Sequence, residues 1–482
     1  MVYGNSYNKR GIEPKNIESP FELDELFFSI TDPKGVILSS NDVFVRVSKM
    51  EEKELIGKPH NVIRHPDMPR AVFKALWQTI RSKKPFIGYV KNMAKDGTYY
   101  WVLAAVYPLL DDEGNIEKFV SIRLKPSSKY FKKIPELYKE ILDYEHKEGM
   151  DKALEYMLQK LQELGFENYE VFAKTVFYEE IQIREESLTN EDLVGCQVDI
   201  RNVLEENLEF IEVLCGLESI FYRINRYFNE IFNKVTIFLN LNEELNKKSK
   251  FIFELAEDIR LLSLNASIES YKVKKEGLSF STLSHEMRKN AELSERKIIQ
   301  MSELIDDTKK DIEDTGFNIL TAKLLIEMIV FFLKEMINNL ARTKIAQERR
   351  EQIIQNISDL FRLLDAYSQG LSHNIYETKS KLRTIFYNIK ELNVLINRLD
   401  FIHINGLIES AHTESDGGGF NIIFSQMLKL IEAAKSEIVN LENSISDATE
   451  DNLSVNNITD IAREKIEKIK KRYGDVLVGS GA

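Results

Sequence analysis

The distribution of proline divides this chain of 482 residues more sharply than any other feature. All ten prolines lie within the first 135 residues, and the following 347 residues contain none. Because proline lacks a backbone N–H and its ring clashes with the preceding helical turn, it is excluded from helix interiors. The pattern therefore predicts a mixed N-terminal domain, ending between Pro126 and Pro135, followed by a long helical region.

Within residues 27–125, short runs of β-favouring residues are separated by turn residues. The runs are Phe27–Thr31, Val36–Leu38, Tyr99–Pro108 and Lys118–Leu124. The sequences Asp-Pro-Lys-Gly and Asp-Asp-Glu-Gly-Asn between them are typical of tight turns. We therefore predict an α+β domain over residues 20–126, built from an antiparallel sheet with flanking helices.

The proline-free region contains two kinds of helical pattern. Residues 127–200 predict amphipathic helices, punctuated by Gly149 and Gly165, that form a connector. From about residue 200 onward, apolar residues follow the alternating three-four spacing of a heptad, which is typical of coiled coils and helical bundles. Most of these apolar residues are expected to pack the core of the bundle.

The heptad stripe occurs twice, at a constant offset of 140 residues. Identities at this offset include Asn265/Asn405, Ile268/Ile408, Glu269/Glu409, Phe280/Phe420 and Met287/Met427. In each copy the stripe reverses across a glycine-containing segment, VKKEG or TESDGGG, so each copy predicts a helical hairpin. Two hairpins, residues 201–343 and 344–475, would make an antiparallel four-helix bundle. The turn between them is expected near residue 343, with Gly370 as the alternative position.

Composition argues against several classes of function. The formal charge of −12 disfavours a nucleic-acid partner, which would prefer basic surfaces. No run approaches the roughly 18 apolar residues of a membrane span, and the N-terminus lacks an apolar signal segment. Cys196 and Cys215 are too few for the disulfide framework of a secreted protein. We therefore expect a cytoplasmic protein. The sequence contains no phosphate-loop or zinc-protease motif, so we expect that the protein is not an enzyme and has no metal site.

The segment from Asn41 to Pro108 closely resembles the PAS domain of Aer-type aerotaxis receptors. The motif HNVIRHPDMP, the pair Phe73 and Trp77, and the runs Val90–Asn92 and Tyr100–Val102 occur in the order of that family. The resemblance implies a non-covalently bound FAD, with the cofactor-binding positions Asn41, Arg64, His65, Asp67, Phe73, Trp77 and Asn92. One departure is Phe86, where the family usually has tryptophan.

These residue types suit a flavin, which needs apolar and aromatic walls around its rings and a few polar groups at its edge. Each residue also has a structural alternative: Phe73 and Trp77 could pack a core, and Arg64 with Asp67 could form a local salt bridge. The density of the cluster favours the cofactor. His60 and His65 leave haem as the alternative cofactor.

The two turns of the repeat resemble the hairpin tip of methyl-accepting chemotaxis proteins. The matching segments are LSLNASIESYKVKKEGLSFSTLSHEMRKNAE and FIHINGLIESAHTESDGGGFNIIFSQMLKLIE. The resemblance implies binding of a CheA/CheW-like kinase and adaptor through the tip residues Glu269, Phe280, Glu286, Arg288, Glu409 and Phe420. The second copy departs at Gln426 and Leu428, which replace an acid and an arginine. In that family two chains supply the four helices, so the tandem copies predict a monomer with a pseudo-dimeric bundle, with a homodimer as the alternative.

The two resemblances together imply a cytoplasmic signal transducer that senses redox state or oxygen through a PAS-bound FAD. Its bundle would signal to a CheA/CheW-type kinase complex in chemotaxis or aerotaxis. The alternatives are a PAS-containing scaffold or interaction protein without kinase control, and a haem-PAS gas sensor.

Overall fold

The N-terminal domain is built around one antiparallel sheet. The computed structural model describes residues 11–187, 196, 198, 203–272, 277–342, 346–412 and 418–477. The domain contains β1 (Phe27–Thr31), β2 (Ile37–Ser40), α1 (Asp42–Ser48), α2 (Glu52–Leu55), α3 (Arg70–Arg81), β3 (Phe86–Met93), β4 (Tyr99–Leu110) and β5 (Ile116–Leu124). The five strands lie in the order β2-β1-β5-β4-β3, and all neighbours are antiparallel. The predicted α+β class is confirmed.

Three connector helices pack on the N-terminal domain, one on strand β3 and the other two on helix α3. They are α4 (Ile134–Glu148), α5 (Met150–Glu163) and α6 (Tyr169–Ser187). Aromatic side chains make the contact: the rings of Phe86 and Tyr169 stack at 5.5 Å, and the Tyr138 hydroxyl donates a hydrogen bond to the carbonyl of Tyr89. The connector is therefore part of the same folded unit as the sheet.

Glu180 on α6 fastens the connector to the sheet. Its buried carboxylate accepts hydrogen bonds from the Tyr89 hydroxyl at 2.7 Å and from the backbone N–H groups of Ser127 at 2.6 Å and Ser128 at 3.1 Å. A buried carboxylate is tolerated only where donors replace the lost water. Strand β3, helix α6 and the segment after β5 thus meet at one side chain.

Four long helices make up the remainder of the described chain. They are α7 (Leu208–Lys272), α8 (Gly277–Arg342), α9 (Gln347–His412) and α10 (Gly418–Leu477). Gly370 lies inside α9, so the change from the first pair of helices to the second falls between Arg342 and Gln347. These are the long antiparallel helices that the heptad pattern predicts.

The chain divides into two compact units. The first comprises residues 1–228, 320–368 and 462–482, and the second comprises residues 229–319 and 369–461. In the second unit, α8 and α9 are joined by the Asn290 side-chain amide, which donates to the Leu395 carbonyl at 2.7 Å, and by the ion pair of Lys381 with Asp311 at 2.8 Å.

Helix α8 is long and apolar enough to cross a membrane by length and composition, and it is the single such helix in the described parts of the chain. Its most apolar window has a mean hydropathy of 1.8, and 78% of that window is buried inside the protein. A membrane-spanning helix would instead present such a window to lipid. The burial places this window of α8 in the core of the protein.

Phe280 and Phe420 stack on each other at 3.8 Å between ring centres, and both rings are buried. The resemblance to methyl-accepting chemotaxis proteins implies that these two residues contact a partner at the tip. The structure corrects this placement, because a ring that is at most 1% exposed packs the interior of the tip. Glu286 and Arg288 are exposed, and Glu269 and Glu409 are half-buried.

The two copies of the repeat fill their tips differently. Ala266 and Ser284 in the first copy correspond to Gly406 and Phe424 in the second. A Cβ atom added at Gly406 would lie 2.1 Å from the Phe424 ring, so the larger ring occupies the space that the missing methyl group leaves. The change of Ala to Gly therefore compensates for the change of Ser to Phe.

We expect Gly406→Ala to destabilise the protein by about 1–3 kcal/mol, because the buried Phe424 ring must move. Gly370→Ala in the same helix is the matched control, since the nearest atom to its new Cβ is the Asn318 amide nitrogen at 3.4 Å. The control should gain up to about 1 kcal/mol from helix propensity. Urea unfolding of both variants tests the prediction, and shifts of the same sign would contradict it.

Candidate functional site

A cavity of about 260 Å³ lies between the inner face of the sheet and helix α3. Its apolar wall consists of Phe73, Leu76, Trp77, Ile80, Val90, Ala104, Val106 and Phe119. Its polar lining consists of Thr31, Lys34, His60, Asn61, Arg64, Asn92, Ser121 and Arg123. Lys34 and Asn61 are exposed and mark the open end. The cavity is largely apolar with a few polar groups, as sites for small organic ligands usually are.

Four of the seven predicted cofactor positions line this cavity: Arg64, Phe73, Trp77 and Asn92. The Arg64 guanidinium lies 4.5 Å from the centre of the Phe73 ring and donates a hydrogen bond to the Met68 carbonyl at 2.7 Å. The Trp77 ring meets Phe119 edge to face at 5.8 Å. These contacts hold the aromatic wall and the cation in fixed positions.

The other three predicted positions lie outside the cavity lining. The Asn41 amide accepts a hydrogen bond from the Phe28 N–H at 3.1 Å and donates one to the Leu26 carbonyl, so it ties β1 to α1. His65 Nδ1 accepts a hydrogen bond from the Asp67 N–H at 3.1 Å. Asp67 forms an ion pair with Lys91 at 2.6 Å. In the structure these residues shape the strands and loops around the cavity.

Arg123 is the main residue of the site that no sequence motif predicts. Its buried guanidinium donates hydrogen bonds to the Ser29 hydroxyl at 2.9 Å and to His60 Nε2 at 2.6 Å. Burial lowers the pKa of Arg123 to about 10, so the group stays charged at neutral pH. No ion pair of Arg123 with a carboxylate occurs in the described part of the chain. Among the described residues, no carboxylate therefore balances this buried cation at the cavity.

His60 is neutral in this arrangement. Burial of the ring, followed by the positive charge of Arg123, lowers its pKa to about 3. Because a guanidinium can only donate, His60 Nε2 acts as the acceptor and the ring proton resides on Nδ1. The Nε2 lone pair is thus already engaged by Arg123, and His65 lies outside the cavity lining, which disfavours a haem ligated by either histidine.

The residues of the cavity fit a flavin. A volume of about 260 Å³ is below the usual range of roughly 300–1,000 Å³ for small-molecule sites, so it suits one planar ring system with the rest of the ligand outside. Gly35 contributes to the flat wall, because a Cβ atom at this position would lie 3.0 Å from the Trp77 ring. Lys34 and Arg64 near the open end suit phosphate groups.

The outer face of the same sheet packs on the helices of the first unit. Phe28 of β1 meets Phe332 of α8 edge to face at 5.1 Å. Lys118 of β5 forms an ion pair with the buried Asp359 of α9 at 2.9 Å, and Tyr107 of β4 contacts Tyr367. Because side chains alternate between the two faces of a strand, the residues that line the cavity are chain neighbours of those that contact the bundle.

Glu335 of α8 makes a polar contact at the start of α1. Its carboxylate accepts a hydrogen bond from the Val43 N–H at 3.2 Å and is also hydrogen-bonded to the Asn41 side chain. Burial, followed by the negative charge of Asp42, raises the pKa of Glu335 from 4.5 to about 7. Asn41 therefore links the strand that carries Ser29 to the helical bundle.

This raised pKa predicts a pH dependence of stability. A carboxyl whose pKa is higher in the folded state stabilises the fold below pH 4.5 and loses that contribution as the pH rises through 7. Relative to wild type, Glu335→Gln should therefore gain stability on the order of 1–2 kcal/mol between pH 5 and pH 8. Urea unfolding at both pH values measures the difference, and a constant difference would contradict the prediction.

Comparison with known proteins identifies the sheet domain. A family model described as the PAS fold matches residues 37–123. The aerotaxis receptor of Escherichia coli is 40% identical over 121 residues, which cover 25% of this chain and 24% of the receptor. The nitrogen fixation regulatory protein of Klebsiella pneumoniae is 26% identical over 109 residues, covering 23% of this chain and 22% of that protein.

A third relative is the biofilm dispersion protein BdlA of Pseudomonas aeruginosa, 27% identical over 90 residues, which cover 18% of this chain and 22% of that protein. This chain matches about a quarter or less of the length of each of the three relatives. The N-terminal domain of the chain is thus a PAS domain whose sequence resembles that of an aerotaxis receptor.

Proposed function

We propose that this chain is a cytoplasmic signal transducer whose PAS domain binds FAD non-covalently and reports redox state or oxygen to the helical bundle. The observation that carries the proposal is the buried, charged Arg123 in the wall of an otherwise apolar and aromatic cavity. Burying a charge is costly unless an opposite charge or several hydrogen bonds compensate for it. A ligand that gains negative charge on reduction supplies such compensation.

A bound flavin supplies reversible electron transfer, and its reduced ring can carry a negative charge. Arg123 would stabilise that charge, while neutral His60 and Ser29 hold the guanidinium in place. Reduction would therefore change the hydrogen bond between Arg123 and Ser29. Ser29 is adjacent in β1 to Phe28, which contacts α8. This provides a short route from the cavity to the bundle, and only such a difference between two states can shift the output.

The tips support an interaction role for the bundle. Leu261, Leu264 and Ile268 form an exposed apolar stripe on α7, and Phe401, Ile404 and Ile408 form the equivalent stripe on α9 at the same offset of 140 residues. These six side chains are 48–67% exposed. Exposed apolar surface that recurs at one spacing in two copies supports a role in protein–protein contact. We propose that these tip stripes bind a CheA/CheW-like kinase and adaptor, and that one chain forms the pseudo-dimeric bundle as a monomer.

The test is a kinase assay with the FAD-loaded protein, a CheA-type kinase and a CheW-type adaptor, in the oxidised and the chemically reduced state. We expect kinase activity to differ between the two states, and the double variant Ile268→Ser/Ile408→Ser to abolish the difference. Val439→Ser, which is 53% exposed on α10, is the matched control. Equal kinase activity in both states, with adaptor binding retained, would favour the scaffold alternative.

A further inference from the structure

The only two cysteines of the chain lie side by side in the fold. Cys196 and Cys215 are 19 residues apart, the structure joins them in a disulfide, and their Cα atoms are separated by 5.2 Å. Disulfides in proteins usually have Cα separations of about 4.4–6.8 Å. Both residues belong to the first unit, and both are half-buried, so small thiols and disulfides can reach them.

A second contact, which does not involve sulfur, holds Cys196 at this place. The backbone N–H of Cys196 donates a hydrogen bond to the carboxylate of Glu218, which lies one helical turn after Cys215 on α7. Glu218 is 2% exposed and is attracted by the positive charge of Lys334 on α8. The cysteines therefore remain neighbours when the sulfur atoms are reduced, which favours ring closure over reaction with an external thiol.

The cysteine pair connects the chain before α7 to α7 itself. Cys196 lies between α6, which is bound to the PAS sheet through Glu180, and α7, the first helix of the bundle. A bond between Cys196 and Cys215 attaches the preceding chain covalently to the start of α7. Reduction of the pair would remove this covalent attachment.

We propose that Cys196 and Cys215 form a reversible dithiol–disulfide site that responds to low-molecular-weight disulfides such as oxidised glutathione. The thiolate of one cysteine attacks the glutathione disulfide, which gives a mixed disulfide and releases one glutathione thiolate. The second thiolate then attacks the protein sulfur of the mixed disulfide and releases the second glutathione. Two cysteine thiols are oxidised, one glutathione disulfide is reduced to two thiols, and the protons of the cysteines pass to the leaving thiolates.

This site would be a second redox input, separate from the flavin. In cytosolic proteins, disulfides are usually transient and serve catalysis or redox sensing. The half-buried position of both cysteines agrees with a reversible site, because access is required for exchange.

The experiment equilibrates the full-length protein with mixtures of reduced and oxidised glutathione, quenches it with a maleimide and records the intact mass. We expect two maleimide groups per chain under reducing conditions and none under oxidising conditions, without bound glutathione. Cys196→Ser and Cys215→Ser each leave one thiol, which should carry glutathione under the oxidising mixture. The proposal is overturned if the wild-type protein carries bound glutathione under the oxidising mixture. It is also overturned if the wild-type protein keeps two free thiols at a ratio of oxidised to reduced glutathione that fully modifies both single variants.

A second readout tests the consequence for the junction. Hydrogen exchange of the backbone amides at the start of α7, residues 208–218, should slow at least about threefold on oxidation of wild type, because the bond restricts local opening. The Cys196→Ser/Cys215→Ser variant should show no such change, and equal exchange rates in oxidised and reduced wild type would contradict the role. Flavin absorbance recorded on the same samples reports the cofactor independently, so failure of the thiol site and failure of the flavin proposal are distinguishable.

Discussion

Replacing Arg64 by alanine is expected to weaken FAD binding by at least about tenfold. A hydrogen bond to a charged group contributes roughly 1.5–3 kcal/mol, and about 1.4 kcal/mol corresponds to a factor of ten. The change also removes the cation that lies over the Phe73 ring in the cavity wall. The measurement is the ratio of flavin to protein absorbance after purification, followed by titration of the cofactor-free protein with FAD.

Arg46→Ala is the matched control, because Arg46 is a half-exposed arginine of the same domain that pairs with Glu25 away from the cavity lining. It should retain the wild-type affinity. Arg64→Lys keeps the charge but loses the planar fork, so its affinity should lie between those of wild type and Arg64→Ala. Wild-type flavin content in a folded Arg64→Ala variant would show that Arg64 does not contact the ligand.

Glu180→Ala is expected to produce the largest loss of stability, about 3–5 kcal/mol. The substitution leaves the Tyr89 hydroxyl and the N–H groups of Ser127 and Ser128 without their acceptor in a buried position. Unsatisfied buried donors cost roughly 1–3 kcal/mol each, although partial relaxation reduces the sum. Urea unfolding followed by circular dichroism gives the difference in the free energy of unfolding.

Glu186→Ala is the control for helix α6, because the exposed Glu186 contacts the side chain of Gln182 one turn earlier. Its effect should stay within about 0.5 kcal/mol. Glu180→Gln keeps one carbonyl acceptor and should fall between the two. A loss below about 1 kcal/mol for Glu180→Ala would mean that water replaces the carboxylate, and that the connector is held mainly by its aromatic contacts.

Proline and heptad patterns predict the architecture because both act over many residues. A single proline would break a long helix, so its absence after Pro135 is decisive, and the repeat fixes the number of helices independently of any one boundary. Strand β3 is absent from the predicted strands because it contains Gly88, Lys91 and Asn92, which have low intrinsic β-propensity. Tertiary contacts with α6, such as the stacking of Phe86 on Tyr169, compensate for this.

The candidate site is only partly predictable from sequence. Arg64, Phe73, Trp77 and Asn92 belong to recognisable motifs and line the cavity. Arg123 lies in no motif, and its signal is the alternation of Phe119, Ser121 and Arg123 on one face of β5, which places a charge toward the interior. Such a pattern becomes informative only when the face is known to line a cavity.

Tip packing shows a second limit of sequence reasoning. A phenylalanine shared by both copies can serve either an internal stack or an external contact, and the sequence does not distinguish these roles. The stacked rings of Phe280 and Phe420 resolve the question for this chain. The exposed stripes come instead from apolar residues such as Leu261 and Leu264, which lie beside the heptad positions Leu262 and Ala266.

The most direct test of the account is the absorption spectrum of the purified full-length protein, before and after chemical reduction without oxygen. We predict the two visible bands of an oxidised flavin, their loss on reduction, and their recovery in air. Weaker flavin bands in the Arg64→Ala variant would then show that the FAD lies in the cavity that Arg64 lines. A Soret band, or a protein that stays colourless after incubation with excess FAD, would contradict a flavin in the PAS cavity.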